Sequence, residues 1–174
     1  MTRLKELKPG DMTPEQAKVY RDIEESGGRL GGPYTAYIRI PRFMRLNQDM
    51  GDYLRSSSLP ARLRSLIVLR TVKHWGAKYA FAVNKRSALK DGLESDIVAA
   101  LEQGREPPLS DPRDVAAVAV AKELLETRTL SEATYRKAVA VFGEDSLVDV
   151  VVTTGFYSMV SMTLNAFDVD PPAG

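Results

Sequence analysis

The segment from Ser58 to Gly92 constrains the fold most, because it predicts two helices joined by a Gly-Ala turn. Pro60 opens the first helix, whose apolar residues recur with a period near 3.6. Gly76 ends it, and the second helix is predicted from Lys78 to Lys90, with Asp91-Gly92 as its C-cap. This stretch therefore indicates a helical architecture.

Start and stop signals continue the helical pattern along the rest of the chain. Thr13-Pro14, followed by Gln16, is typical of a capped helix start, Ser131 is a second predicted cap, and Gly143 predicts a stop. Strand signals are nearly absent, because the valine-rich segments lack alternation and turn flanks. The predicted class is all-α, and the other elements are expected over residues 14–25, 34–40, 41–55, 96–101, 112–126, 132–141 and 147–167.

Composition narrows the function classes. The 174 residues suit a single domain, predicted over residues 1–174, with 44% hydrophobic and 27% charged residues as in soluble proteins. A net charge of +1 does not indicate binding to nucleic acid or to an anionic membrane. The chain has no cysteine, which excludes disulfides and Cys-x-x-Cys peroxidase chemistry and fits a reducing, cytoplasmic compartment. The start of the chain does not resemble a signal peptide.

The run from Leu147 to Phe167 is long and apolar enough to raise the question of a membrane span. It also contains Asp149, Thr153 and other polar residues that would be costly in lipid. The favoured interpretation is a helix buried at the centre of a bundle or at a subunit interface. This predicts no membrane partner and favours a homo-oligomer, since one small subunit could hardly hide so much apolar surface.

The Ser58–Gly92 segment resembles the core motif of the carboxymuconolactone decarboxylase and alkylhydroperoxidase D superfamily. Members usually carry a glutamate on the first helix. On the second they carry Cys-x-x-Cys-x-x-x-His or, in a cysteine-free branch, Glu-Tyr-x-Trp-x-x-His. Aligned with this motif, the positions that carry the family's chemistry hold other residues here: Ser65 for the glutamate, Ala77 and Ala80 for the cysteines, Lys78 for the acid before the tyrosine, and Asn84 for the histidine.

Residues 31–55 and 151–169 extend the resemblance over nearly the whole chain. It implies an alkylhydroperoxidase D-like helical bundle that forms a homo-oligomer, commonly a trimer or hexamer, with pockets between subunits. The namesake reaction decarboxylates a lactone acid with help from the histidine, and another branch reduces peroxides with the cysteine pair. This chain has neither the aligned histidine nor the cysteine pair. The resemblance therefore indicates a divergent, cysteine-free member and argues against a thiol peroxidase.

Three residues are predicted as catalytic: Asn84, Lys78 and His74. The amide of Asn84 could hold a carbonyl or enolate oxygen, or it could be a satisfied amide between packed helices. Lys78 shares a flank with Lys85 and could bind a carboxylate or form a Schiff base, or both lysines could belong to a solvated face. His74, the one histidine in the sequence, could be a general base or a helix C-terminal cap.

Four residues are predicted to bind substrate: Arg70, Tyr79, Phe81 and Tyr34. Arg70 would clamp a carboxylate in a pocket, whereas on the surface or paired with an acid it would be structural. The aromatic side chains, and Tyr157 with them, could line an apolar cavity or belong to the core. One histidine without an adjacent carboxylate cluster gives no metal-ligand spacing, so neither a metal nor a cofactor is expected.

The leading hypothesis for function is a lyase or isomerase of the decarboxylase type, acting on a small organic acid or lactone. Decarboxylation needs an electron sink more than a base, so loss of the family's histidine is tolerable if a positive group is near. The alternative is a non-catalytic oligomeric binding or scaffolding protein. The expected partners are a small organic acid and further copies of the chain, without nucleic acid or membrane.

Overall fold

The computed structural model describes residues 2–171; Met1 and residues 172–174 lie outside the described residues. Residues 2–171 form α-helices and no strand, which confirms the all-α class. A short 3-10 turn over Pro9–Asp11 precedes the helices. Their bounds are α1 Pro14–Glu25, α2 Tyr34–Tyr37, α3 Pro41–Ser56, α4 Ala61–His74, α5 Lys78–Lys90, α6 Ser95–Glu102, α7 Pro112–Thr127 and α8 Glu132–Ala166.

The predicted helix starts are capped as the sequence indicates. At α1 the Gln16 amide N–H donates to the Thr13 hydroxyl over 3.3 Å, and the Thr13 N–H donates back to the Gln16 side chain over 3.0 Å. The Ser131 hydroxyl accepts from the N–H of Thr134 over 3.2 Å at the start of α8. These bonds satisfy backbone donors that have no partner within the helix.

Helix α4 lies at the centre of the molecule and packs against α5, α7 and α8. Its residues Leu66, Ile67, Leu69 and Val72 are fully buried. The run from Ser65 to Leu69 is buried without interruption, so the middle of α4 is covered on every side. Each of these large side chains contributes about 1.5–3 kcal/mol by leaving water, so α4 fixes the positions of the helices around it.

A second, smaller hydrophobic cluster is formed by α1, α2 and α3. It includes Val19, Ile23, Tyr34, Tyr37 and Met44. This N-terminal cluster is distinct from the main core around α4. The loop over residues 26–33 connects α1 to α2 and ends where the N-terminal cluster meets α5 and α8, which places it at the candidate site described below.

Helix α8 is interrupted at Gly143, which has φ 73° and ψ 169°. The predicted stop is therefore confirmed, although the helix resumes at once. Among the described residues, α8 is long and apolar enough by length and composition to cross a membrane. It packs instead against α4 and α7, and Val150 and Thr153 are fully buried. The structure thus supports the prediction of a helix central to a bundle.

Apolar side chains remain exposed on one stripe of α8. Val148, Val151 and Met162 follow helical spacing and face solvent in the single chain. Such a stripe is compatible with the predicted interface between copies of the chain. Self-association as a trimer or hexamer stays a prediction.

Candidate functional site

A cavity of about 270 Å³ lies between α5, α8 and the end of the 26–33 loop. Three tyrosines line it, and we call it the tyrosine cavity. Its polar lining consists of Arg29, Tyr34, Tyr79, Asn84 and Tyr157. Its apolar lining includes Pro33, Val83, Phe156, Val160 and Leu164. The structure therefore brings together three predicted site residues, Asn84, Tyr79 and Tyr34.

Close backbone approach fixes one wall of the tyrosine cavity. Gly32 has φ +67°, in the left-handed region that favours glycine. A Cβ at Gly32 would overlap the ring of Tyr79 and lie 2.9 Å from its hydroxyl oxygen. Glycine at this position thus allows the loop to press directly against Tyr79 and holds the ring in place.

We expect Gly32→Ala to destabilise the protein by about 2–3 kcal/mol, because the left-handed conformation alone costs an alanine about 1–2 kcal/mol and the overlap with Tyr79 adds to it. The measurement is urea denaturation followed by circular dichroism. Gly27→Ala is the matched control, since Gly27 has φ +72° but open space around the added Cβ. Equal losses for the two variants would contradict the tight contact with Tyr79.

The tyrosine hydroxyls of the cavity are held in their neutral form. Burial raises the pKa of Tyr34, Tyr79 and Tyr157 above the usual value for a phenol, and the nearby Arg29 guanidinium opposes that rise. Near neutral pH each phenol therefore keeps its proton and can donate it in a hydrogen bond. Three phenols that line one largely apolar space provide hydrogen-bond donors for a ligand oxygen that carries negative charge.

Asn84 contributes part of its amide to the cavity. Its Nδ2 donates to the carbonyl oxygen of Ala80 one turn earlier over 2.8 Å. The second N–H and the amide oxygen are the groups that it can offer to a ligand. The position of Asn84 is thus compatible with its predicted role of donating a hydrogen bond to a ligand oxygen. Only one of its two N–H groups is free for that role, because the other is bonded to Ala80.

Ala77, Ala80 and Asn84, the residues aligned with the family's cysteines and histidine, do not border one cavity in the structure. Ala80 and Asn84 border the tyrosine cavity, whereas Ala77 borders a different one. The reason is that α5 begins at Lys78, so Ala77 is the N-cap with a non-helical ψ of 87°. Ser65, the residue aligned with the family's glutamate, donates to Asp91 over 2.6 Å instead of lining the cavity.

A second cavity, of about 580 Å³, lies on another side of α5, where it meets the end of α4 and α6. We call it the lysine cavity, since its lining includes Lys73, Lys78, Lys85, Arg86 and Phe81. Lys78 and Lys85 share this flank, as predicted. Lys78 and Phe81 are therefore separated from Asn84, and the structure does not combine them into one site.

Two further predicted residues lie at neither cavity. Arg70 keeps 15% of its side chain exposed and pairs with Glu126 at 3.4 Å and Glu106 at 3.8 Å. These contacts match the structural interpretation of Arg70, because its charge is occupied within the chain. His74 is exposed at the C-terminal end of α4, with its ring 6.0 Å from that of Trp75, in the position of a helix-end residue.

The tyrosine cavity has binding groups but lacks a conventional base in its described lining, which holds no carboxylate, histidine or thiol. Residues 2–171 also contain no cluster of side chains suited to hold a metal. Sequence reasoning missed Arg29, the one charged residue of that lining. No local signal could have found it, because its relevance comes from the loop that carries it to α5 and α8.

Comparisons with known proteins agree with this architecture. The family model for the carboxymuconolactone decarboxylase family matches residues 41–123, which run from α3 into α7. No curated protein shows significant sequence similarity to the chain.

Solved structures extend the agreement to nearly the full chain. An uncharacterized peroxidase-related protein from Silicibacter sp. TM1040 is 18% identical with a TM-score of 0.77, over 99% of this chain and 92% of that one. An alkylhydroperoxidase AhpD core protein from Ralstonia eutropha JMP134 is 12% identical with a TM-score of 0.77, over 98% and 92%. The debrominase Bmp8, in complex with 2,3,4-tribromopyrrole, is 16% identical with a TM-score of 0.77, over 99% and 93%. The family match over residues 41–123 and the shared fold support a resemblance of this chain to the carboxymuconolactone decarboxylase/alkylhydroperoxidase D-like superfamily.

Proposed function

We propose that the protein binds a small, apolar organic acid in the tyrosine cavity and acts on it as a lyase or isomerase of the decarboxylase type. One observation carries the proposal: three neutral phenols and an arginine converge on one largely apolar space. The volume of about 270 Å³ suits a compact ligand such as a single aromatic ring with a short side chain.

Capture of the acid is assigned to Arg29. It lies at the rim of the tyrosine cavity, is exposed, and is the one cation of the described lining. Its guanidinium can take a carboxylate with two parallel hydrogen bonds. The apolar walls, among them Phe156 and Val160, then hold the rest of the ligand away from water.

The phenols supply the electron sink that decarboxylation requires. In a 3-oxo acid the bond between the carboxylate and the α-carbon breaks, CO₂ leaves, and the electron pair moves to the ketone oxygen as an enolate. Tyr79, Tyr157 and the free N–H of Asn84 can donate hydrogen bonds to that oxygen. A proton from a phenol then reaches the α-carbon, and solvent returns the proton to the phenol. An isomerisation through the same enolate would use the same donors.

The alternative is binding without catalysis, and the absence of a carboxylate, histidine or thiol in the described lining of the tyrosine cavity favours it. A phenol with a raised pKa is a good hydrogen-bond donor but a weak proton donor. Binding and turnover must therefore be measured separately.

Benzoylacetate, an aromatic 3-oxo acid, is the probe, and benzoate is its unreactive analogue. In isothermal titration calorimetry we expect both to bind. Arg29→Gln should weaken binding about fivefold, the scale of an exposed charge pair, and Tyr157→Phe about tenfold, the scale of one hydrogen bond to a charged group. Arg21→Gln is the matched control, because Arg21 is exposed on α1 and lies away from the cavity.

Release of CO₂ from benzoylacetate decides between the two candidate functions. If the protein releases CO₂ faster than buffer alone, and Tyr157→Phe reduces that rate, the lyase is supported. Binding that responds to Arg29→Gln and Tyr157→Phe without acceleration favours the binding protein. Failure of both ligands to bind at millimolar concentration, or equal weakening by Arg21→Gln, contradicts the assignment of the tyrosine cavity to organic acids.

A further inference from the structure

We propose that the lysine cavity is a second, independent binding site for an amphipathic anion, an alkyl or aryl chain that ends in a carboxylate or phosphate. The site lies on a different side of α5 from the tyrosine cavity, and the proposed decarboxylase-type function does not use it. The inference stands on the distribution of charge around the cavity, on its apolar floor and on the start of α5.

Positive charge is concentrated at this cavity. Four cations, Lys73, Lys78, Lys85 and Arg86, line it together with one carboxylate, Glu102, which leaves a net charge of +3. The whole chain carries +1. A concave surface with this excess of one sign raises the local concentration of small anions.

Glu102 contacts Lys85 and Lys73 on one edge of the lysine cavity and leaves the other two cations unpaired. The Lys85 ammonium lies 2.6 Å from a Glu102 carboxylate oxygen, and Lys73 donates to the Glu102 backbone carbonyl over 2.6 Å. Lys78 and Arg86 have no carboxylate within ion-pair distance among residues 2–171. The tethered pair holds the cavity's shape, and Lys78 and Arg86 remain available to an anionic head group.

The floor of the lysine cavity is apolar. Val72 and Ala77 are buried beneath it, and the half-buried ring of Phe81 forms part of its surface. The Lys73 ammonium lies 5.9 Å from the centre of the Phe81 ring. A hydrocarbon chain that packs on Phe81 would therefore lie beside the cations that hold its head group. A fully polar ion has no apolar part to bury on this floor and should bind more weakly.

The first turn of α5 adds to the attraction for an anion. Its N-cap is Ala77, which makes no side-chain capping bond. The backbone N–H groups of the first turn, beginning at Lys78, thus lack a side-chain acceptor and contribute partial positive charge at the edge of the cavity. This feature reinforces the cation cluster and the apolar floor.

Octanoate is the probe for this site, followed by calorimetry and by amide chemical shifts in NMR. We expect saturable binding with shifts at residues 72–86 that border the lysine cavity. Lys78→Gln and Arg86→Gln should each weaken binding about three- to fivefold, as exposed charge contacts do, and the double variant about tenfold or more. Lys90→Gln is the control, since Lys90 is an exposed lysine of the same helix outside the cavity.

Three further arms separate this site from general attraction and from the tyrosine cavity. Acetate and 1-octanol should each bind at least tenfold more weakly than octanoate, because each lacks one half of the recognition. Affinity should fall with added salt. Tyr157→Phe should leave the octanoate-induced shifts at the lysine cavity unchanged, because Tyr157 does not line that cavity.

The inference is overturned if octanoate fails to bind at millimolar concentration, if its shifts lie only at the tyrosine cavity, or if Lys90→Gln weakens binding at the lysine cavity as much as Lys78→Gln. Because Lys78, Arg86 and Lys90 are exposed, we expect their variants to melt at the same temperature as the wild type. Equal melting temperatures would show that a variant which loses binding is still folded. Failure here leaves the benzoate and benzoylacetate results at the tyrosine cavity intact.

Discussion

Arg62→Ala is expected to destabilise the protein by about 3–5 kcal/mol, the cost of leaving a buried charge without its partner. The guanidinium of Arg62 makes two parallel hydrogen bonds to Asp114, at 2.9 and 2.8 Å, and a further contact to Glu94 at 2.6 Å. The side chain of Asp114 is 3% exposed, so water cannot replace the lost donors. The free energy of unfolding in urea is the measurement.

Arg136→Ala is the control for this variant, because Arg136 pairs with Glu132 on the open surface of α8. Its loss should stay below about 0.5 kcal/mol, as for most exposed ion pairs. A double variant, Arg62→Met with Asp114→Leu, should recover most of the stability, since the buried charge is then removed with its partner. A loss for Arg62→Ala no larger than that for Arg136→Ala would show that the pair does not anchor α4 to α7.

Asp149→Ala is expected to cost about 2–4 kcal/mol, because hydrogen bonds to a buried charged acceptor are worth about 1.5–3 kcal/mol each and are only partly additive. Asp149 is 5% exposed, and its carboxylate accepts three hydrogen bonds. They come from the Tyr53 hydroxyl at 2.6 Å and from the backbone N–H and hydroxyl of Ser58 at 3.0 and 2.7 Å. The network ties α3 and the loop between α3 and α4 to α8.

The effect of Asp149→Ala should depend on pH in a defined direction. Burial alone raises the pKa of Asp149, but the hydrogen bonds from Tyr53 and Ser58 outweigh it, so the pKa lies below its usual 3.8. The stabilisation is therefore complete above 3.8 and is lost as the pH falls from there through the lower pKa of the folded state. Denaturation at pH 7 and pH 3 should show a smaller difference between wild type and variant at pH 3. Asp145→Ala, an exposed change on the same helix, should cost within about 0.5 kcal/mol at both.

Much of the fold can be predicted from the sequence because its signals are local. The Thr13 capping box, the start after Ser131 and the break at Gly143 each depend on residues a few positions apart. The short element expected over residues 34–40 is one turn, Tyr34–Tyr37, because Pro41 opens α3 immediately after it. Its boundary depends on packing against α3 as well as on local preference.

The candidate site is less predictable because it is assembled from distant parts of the chain. Tyr34, Tyr79 and Asn84 are predicted site residues and do border one cavity, yet Arg29 joins them through the path of a loop. Lys78 and Phe81 line the lysine cavity instead, because residues that are close in sequence can face different sides of a helix. Arg70 forms ion pairs with Glu126 of α7 and with Glu106 of the loop before α7. The spacing of residues within α4 could not predict these contacts.

The tyrosine cavity lies between the N-terminal cluster and the main core, with Tyr34 on one side and Tyr79 and Tyr157 on the other. Ligand affinity and the free energy that holds the two parts together are therefore linked quantities. If a ligand in the cavity tightens the association of the two parts by some factor, that association tightens ligand binding by the same factor. Substitutions at Val19 or Met44, which belong to the N-terminal cluster but not to the cavity lining, therefore test this link without changing a residue of the site.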